Sequence, residues 1–391
     1  MKSWAIILCA ALLSACAGKQ ARTPPPQVFH DQLYRAPSAP IDTSRVFALS
    51  ADMRAYLQRE INPARDKDAR RQLFDALYRK DKLQLEYDSA LTRNASQTFD
   101  ARAGNCLSLA IMTAALAHEL KLTVQFQQID VDESWSRSGN LYFASNHVNL
   151  ALGRQRASIN PYSSGYNVDL SDPLTVDFIP IPPKARQSAK ALEEHTVIAM
   201  YLNNRAAEQL AAGQDDDAYW SARTAAEVDP QFLNAYNTLG VIYQHGGHFA
   251  AAEQTLRYAQ SQAPDNTIFL SNLAQTLESA LKMDEAAVVR ARLVQLEPHP
   301  PFYFFNLGQE AMKLGDYARA RKLFERELER VPYYHEFHFW LALANYQLGD
   351  LPAADSHMAR ALENSTTRGD HDLYSAKLDR IRAYEAHPPG K

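Results

Sequence analysis

The chain has 391 residues, 46% hydrophobic and 22% charged, the balance of a globular protein of two or three domains. Its 41 basic residues against 45 acidic ones leave a formal net charge of −4, which supplies no basic field for nucleic acid. Three cysteines, Cys9, Cys16 and Cys106, exclude a disulfide framework, and the scarcity of glycine, 14 in all, suits a mainly helical chain.

At the N-terminus, Met1-Lys2 supplies one positive charge and residues 4–13 form an apolar run of ten. That is too short to span a bilayer and fits the core of a secretory signal. The run ends in Leu13-Ser14-Ala15-Cys16, which resembles a bacterial lipobox. The resemblance implies a signal peptide over residues 1–15, lipidation of Cys16, and an outer-membrane lipoprotein facing the periplasm of a Gram-negative bacterium, since Ala17 follows the cysteine. Residues 16–48 carry Pro24-Pro25-Pro26, Pro37 and Pro40 and predict an extended tether. Within them, residues 28–34 also read as an arm packed on the first domain.

Residues 49–190 have a mixed pattern. Apolar spacing at Met53, Leu57 and Ile61, and again at Leu73, Leu77 and Tyr78, predicts two amphipathic helices. A short extended piece is expected at 83–87, a strong helix at 105–120, and strands at 122–131, 141–152 and 174–180. The helix at 105–120 places Cys106 in its first turn, where the positive end of the macrodipole favours thiolate. Arg102 lies just upstream, and Gly104 leaves room for a close approach of substrate backbone. In the strand around Asn146-His147-Val148-Asn149, alternation turns Val148, Leu150 and Leu152 to a core and His147 and Asn149 to the other face. Asp177 alternates with Val176 and Phe178, so its carboxylate is expected to face the imidazole of His147.

The segment Arg102-Ala103-Gly104-Asn105-Cys106-Leu107-Ser108, its alanine- and leucine-rich helix and the Asn146-His147-Val148-Asn149 strand resemble the transglutaminase-like superfamily of cysteine enzymes. The similarity covers residues 83–181. It implies a papain-like α+β domain with Cys106 as nucleophile, His147 as base and Asp177 as the orienting acid. Asp169 and Asp172 compete for the third place, in a stretch whose turn chemistry accounts for them otherwise. The backbone N–H of Cys106 would supply one oxyanion donor, with Gln97 the candidate for the second.

The C-terminal half repeats every 34 residues. Pro230, Pro264, Pro298 and Pro332 keep that step, as do Leu239-Gly240, Leu273-Ala274, Leu307-Gly308 and Leu341-Ala342. So do Ala218, Ala252, Ala286, Ala320 and Ala354. This resembles the tetratricopeptide pattern of paired antiparallel helices, in which small residues let backbones approach and proline ends the second helix. About five repeats fill residues 199–368, and residues 370–386 read as a capping helix. The resemblance puts Asn234, Asn237, Val241, Gln244, Ile268, Ser271, Gln275, Glu278, Phe302, Phe305, Gln309 and Met312 on the concave face. Amides there suit an extended peptide, and aromatics suit apolar side chains. His335 and His338, flanking Glu336, have a spacing open to metal but sit where repeat aromatics belong, and Asp215-Asp216-Asp217 reads as a solvated helix cap.

The expected architecture is therefore a papain-like/transglutaminase-like α+β domain followed by an all-α tetratricopeptide solenoid. The expected function is a lipid-anchored cysteine hydrolase or acyl transferase acting on amide bonds, its repeats recruiting a protein or peptide. The alternative is a non-catalytic scaffold for protein–protein interaction in the envelope. Neither cofactor nor metal is expected, and contact with the membrane is expected through the anchor alone.

Overall fold

The computed structural model describes residues 23–62, 68–79, 82–138, 141–153, 172–178 and 189–386. An N-terminal mixed α/β domain precedes a long all-α repeat region. The first domain holds α1 (Ala51–Glu60), α2 (Ala69–Tyr78), β1 (Glu86–Tyr87), α3 (Ala95–Ala101), β2 (Ala103–Gly104), α4 (Cys106–Glu119), β3 (Thr123–Ser138), β4 (Leu141–Gly153), β5 (Leu174–Val176) and β6 (Lys190–Leu192). β1 pairs with β2 in parallel, and the larger sheet runs β5-β4-β3-β6 with every pairing antiparallel.

Helix α4 is apolar all round because it is buried all round. Phe126, Val148, Leu150, Leu152 and Val176 of the sheet share one apolar cluster with it, and Met53, Leu57, Leu73 and Leu77 of α1 and α2 belong to the same cluster. The cap Asn105 starts the helix by accepting from the backbone N–H of Ser108 at 2.9 Å.

The repeats are α5 (Glu194–Ala211) with α6 (Asp215–Val228), α7 (Leu233–His245) with α8 (Phe249–Gln262), α9 (Thr267–Ser279) with α10 (Met283–Leu296), α11 (Tyr303–Lys313) with α12 (Tyr317–Arg330), and α13 (His335–Gln347) with α14 (Leu351–Glu363). Helix α15 (Arg368–Ala386) follows. In the second and fourth pairs the second helix presses an apolar plug on a glycine of the first. A Cβ on Gly240 would come within 2.5 Å of Leu256, and one on Gly308 within 2.5 Å of Phe324.

Helix α5 joins the two regions. Its Val197 and Met200 enter the α/β core, whereas Ala199, Leu202, Ala206 and Leu210 enter the repeat core. The other end of the solenoid also reaches the first domain. The backbone N–H of Ser89 donates to the carbonyl of Thr366 at 3.0 Å, and Arg368 lies 3.3 Å from Glu86.

Residues 28–38, part of the expected tether, lie on the repeats. Val28 is fully buried among them, and its carbonyl accepts from the Tyr243 hydroxyl at 2.9 Å. Tyr34 stacks on Tyr219 with ring centroids 4.2 Å apart. Asp216 and Asp217, expected as a solvated cap, accept from the backbone N–H groups of Arg35 and Ser38 at 2.9 and 2.7 Å. An extended arm has N–H groups to satisfy, and the acidic start of α6 supplies acceptors.

Repeats three and four do not stack as the others do. α6 lies on α7, α8 on α9, α12 on α13 and α14 on α15, but α10 makes no comparable contact with α11. Repeat three also departs in one column of the 34-residue register, which holds Ala222, Leu256, Arg290, Phe324 and Met358. Four are fully buried, whereas Arg290 turns away to pair with Glu278, both contacts at 2.9 Å. The linker that follows is fastened to the next repeat instead: Arg330 donates to the carbonyls of His299 and Pro300 at 2.8 and 3.3 Å. Phe302, left-handed at φ 62°, enters the core of repeats four and five.

Candidate functional site

The first turn of α4 and the facing strands β4 and β5 bring three sequence candidates into one neighbourhood. Cys106 is the first residue of α4, partly exposed, and His147 on β4 is buried. His147 Nε2 lies 3.8 Å from Asp177 Oδ1, just beyond β5. Burial works against ionisation of the Cys106 thiol. The imidazole of His147 and the backbone N–H groups of Val148 and Leu107 outweigh it, and the thiol titrates below its ordinary range. Burial likewise pulls His147 down, but Asp177 and Cys106 beside it raise it to about 9. Tyr87, half-buried, is pushed up by burial and by the neighbouring thiolate charge.

The hydrogen bonds that would define catalytic roles differ from those expected. Neither ring nitrogen of His147 has a hydrogen-bond partner among the described residues. Asp177 Oδ1 instead accepts from the side-chain amide of Asn149, two residues along the same strand as His147. An acid that holds an imidazole in one tautomer does so by accepting its N–H. Here an amide takes that oxygen. Asn149 was legible only as sharing a face with His147.

The remaining candidates sit elsewhere. Asp172 lies beside Arg70, whose guanidinium is 3.8 Å from its carboxylate and donates to its backbone carbonyl. Asp169 and the lipidation residue Cys16 lie outside the described residues. Gln97 completes the capping box of α3, accepting from the Asn94 backbone N–H at 3.2 Å. Packing alone calls for glycine at 104: a Cβ there would meet the Cβ of Ser108 at 2.8 Å. His335 and His338 diverge, the first to the Tyr374 hydroxyl at 2.8 Å, the second to His357 at 3.1 Å and the Pro332 carbonyl at 2.9 Å. Among the described residues no group of three or more His, Cys, Asp or Glu is placed to hold a metal ion. Nor is any described helix long and apolar enough to cross a membrane.

On the repeats, the expected concave residues separate into two kinds. Asn234, Asn237, Gln244, Ser271 and Gln275 are half-buried or exposed. Asn272 donates to Asn237 at 2.8 Å, so amides of neighbouring repeats are linked. Phe302 and Phe305 are not free to take a ligand's side chains: both are buried, packed with Phe337 and Tyr334.

Residues 305–368 match the tetratricopeptide repeat family. The chain is 32% identical over 89 residues to a small glutamine-rich tetratricopeptide repeat-containing protein of Mycosarcoma maydis, covering 23% of this chain and 25% of that one. It is 27% identical over 121 residues to the type IV pilus assembly protein PilF of Pseudomonas aeruginosa, covering 30% and 48%. The chain thus spans between a quarter and a half of the length of these curated relatives. Among solved structures, PilF of Pseudomonas aeruginosa matches at 18% identity and a TM-score of 0.29, covering 51% of this chain and 96% of that one. A MamA structure matches at 22% and 0.24, covering 42% and 95%.

These matches correct the family and the activity expected from the sequence. One relative is named for its tetratricopeptide repeats and the other for type IV pilus assembly, and neither name is that of an amide hydrolase or acyl transferase. The description of the chain as a transglutaminase-like lipoprotein enzyme gives way to that of an N-terminal α/β domain followed by helical repeats, of which residues 305–368 match the tetratricopeptide family. The physical reason agrees. A cysteine at a helix start with a histidine on the facing strand is a sequence pattern, while the chemistry needs an oriented imidazole. Here Asn149 holds the orienting carboxylate. The repeat architecture supports a general role in binding protein partners.

Proposed function

We propose that this chain is a non-catalytic scaffold whose repeats bind an extended segment of a partner protein through the amides of α7 and α9. The observation that carries the reading is the continuous stacking of repeats one to three, which lines up Asn234, Asn237, Gln244, Ser271 and Gln275 on first helices with part of each side chain exposed. Amides both donate and accept, and so match the alternating N–H and C=O groups of an extended backbone. The relatives' names, which speak of repeats and of pilus assembly, favour an interaction role of this kind. A photo-crosslinking residue placed at Ser271 or Gln275 should give discrete adducts in cells, and one placed at Gln254, on the second helix of repeat two, should not. Equal adducts from both faces, or none from Ser271 and Gln275, would overturn the proposal.

The location is a separate proposal, carried by the sequence of residues 1–16 alone: the periplasmic face of the outer membrane. Fractionation of cells expressing the full chain should recover it with the envelope, and recovery in the cytosol would overturn that reading.

A further inference from the structure

The outer side of α10 is bare. Asp284, Ala287, Val288, Ala291, Val294 and Gln295 recur at helical spacing and are all exposed, and Met283 flanks them. Val288 is 72% exposed and Val294 61%. The residues in register with Val294 in the other repeats, Ala226, Gln260, Leu328 and Leu362, are buried or half-buried. A second feature marks the same repeat. The turn between paired helices takes a left-handed residue at Gly213, Gly247, Gly315 and Gly349, but in repeat three that residue is Leu281, at φ 59° and 81% exposed. A leucine held left-handed and turned to water adds cost without adding to the core, so this repeat spends stability on an exposed apolar surface.

The two ends of the stripe carry opposite charge. Asp284, Val288 and Arg292 are spaced by four, and Ala287 and Ala291 straddle Val288. If a second α10 lies antiparallel with the dyad at Val288, Val288 meets its own mate, while Ala287 and Ala291 fall opposite Val289 and Glu285 of the other copy. Asp284 then falls opposite Arg292 of the other copy, twice over. In the monomer Arg292 meets Asp265 at 2.6 Å, but both groups are exposed, so exchanging that pair costs little. Oppositely charged ends of one helix face, brought together by antiparallel pairing, make that face complementary to itself.

We infer that α10 is a self-association surface, on which two copies of this chain pack in antiparallel register about Val288. The surface is distinct from the amide face of α7 and α9, so two scaffolds joined there present two partner-binding faces. One helix pair offers less than the area of a standard interface, so the dimer is weak and dissociates on dilution.

The full chain should sediment as a monomer–dimer equilibrium. Asp284→Arg alone and Arg292→Asp alone should each weaken the dimer about tenfold, and the double exchange should restore it, because the charges again face each other. Circular dichroism checks that each variant is folded. With Cys9, Cys16 and Cys106 all replaced by serine, Val288→Cys should form a disulfide-linked dimer on oxidation, and Gln254→Cys, in register on α8, should not. A chain that stays monomeric into the hundreds of micromolar overturns the inference. So does a double exchange that fails to restore association, or a Val288→Cys chain that couples to another protein and not to itself.

Discussion

Repeats three and four occupy adjacent places in one solenoid and meet their neighbours in opposite ways. In repeat four, Phe324 fills the space over Gly308, and Gly315 takes the left-handed turn without strain. In repeat three, the same two places hold Arg290 and Leu281, and the second helix is left mostly exposed. Stacking in a solenoid is a sum of nearest-neighbour interfaces, so a change at one column opens one junction and leaves the rest standing. The α/β domain has no such modularity. Its core draws on α1, α2, α4, three strands of the sheet and α5 at once.

The largest test of that contrast is truncation of the two column residues. Phe324→Ala should cost about 3–5 kcal/mol and loosen repeats four and five together, since its ring is fully buried against Phe305 and Trp340. Arg290→Ala removes a pair that is largely exposed and should cost less than about 1 kcal/mol. Hydrogen exchange by repeat would measure both, and equal costs would mean that the column does not set the stacking.

A smaller and opposite effect is expected at the turn. Relief of left-handed strain is worth about 1–2 kcal/mol, and the added freedom of glycine in the unfolded chain takes back about 0.5–1. Leu281→Gly should therefore stabilise repeat three slightly. Thermal or urea unfolding followed in that repeat would read the sign, and a loss of stability would show that Leu281 makes contacts its exposure does not reveal.

The smallest effect concerns pH. Hydrogen bonding to Arg290 holds Glu278 below the usual carboxylate range. A lowered folded value means that this contribution is present above the unfolded carboxylate's value of about 4.3 and is lost as pH falls through the folded one. Because both groups are some two-fifths exposed, the slope is shallow. Glu278→Gln should flatten the acid limb of repeat-three protection and leave repeat four unchanged. A steeper limb in the variant would contradict the sign.

The α/β domain was legible as elements and less so as chemistry. The helix opening at Cys106 follows from Asn105 as cap and the alanine- and leucine-rich run behind it. The inward turn of Val148, Leu150 and Leu152 follows from alternation. What Asp177 does was not legible. Asn149 and His147 lie on one strand within reach of the same carboxylate, and which of them takes the oxygen depends on where β5 is placed along β4, a register set by Leu150 opposite Val176. Sequence spacing across 28 residues cannot fix an ångström-scale choice between two donors.

The 34-residue period by itself determined the paired helices and their small contact columns, because each repeat is built from contacts a few residues apart in the chain. It also held the two departures of repeat three, Arg290 and Leu281, in plain register. Only the tertiary structure decided their consequences: whether the next repeat would close over the bare helix, and which surface would remain open. It also decided the place of the N-terminal arm, whose prolines permit extension but do not choose a partner. Tyr219, Tyr243, Asp216 and Asp217 bind that arm from about two hundred residues away. No local pattern records a contact that chain folding alone brings together.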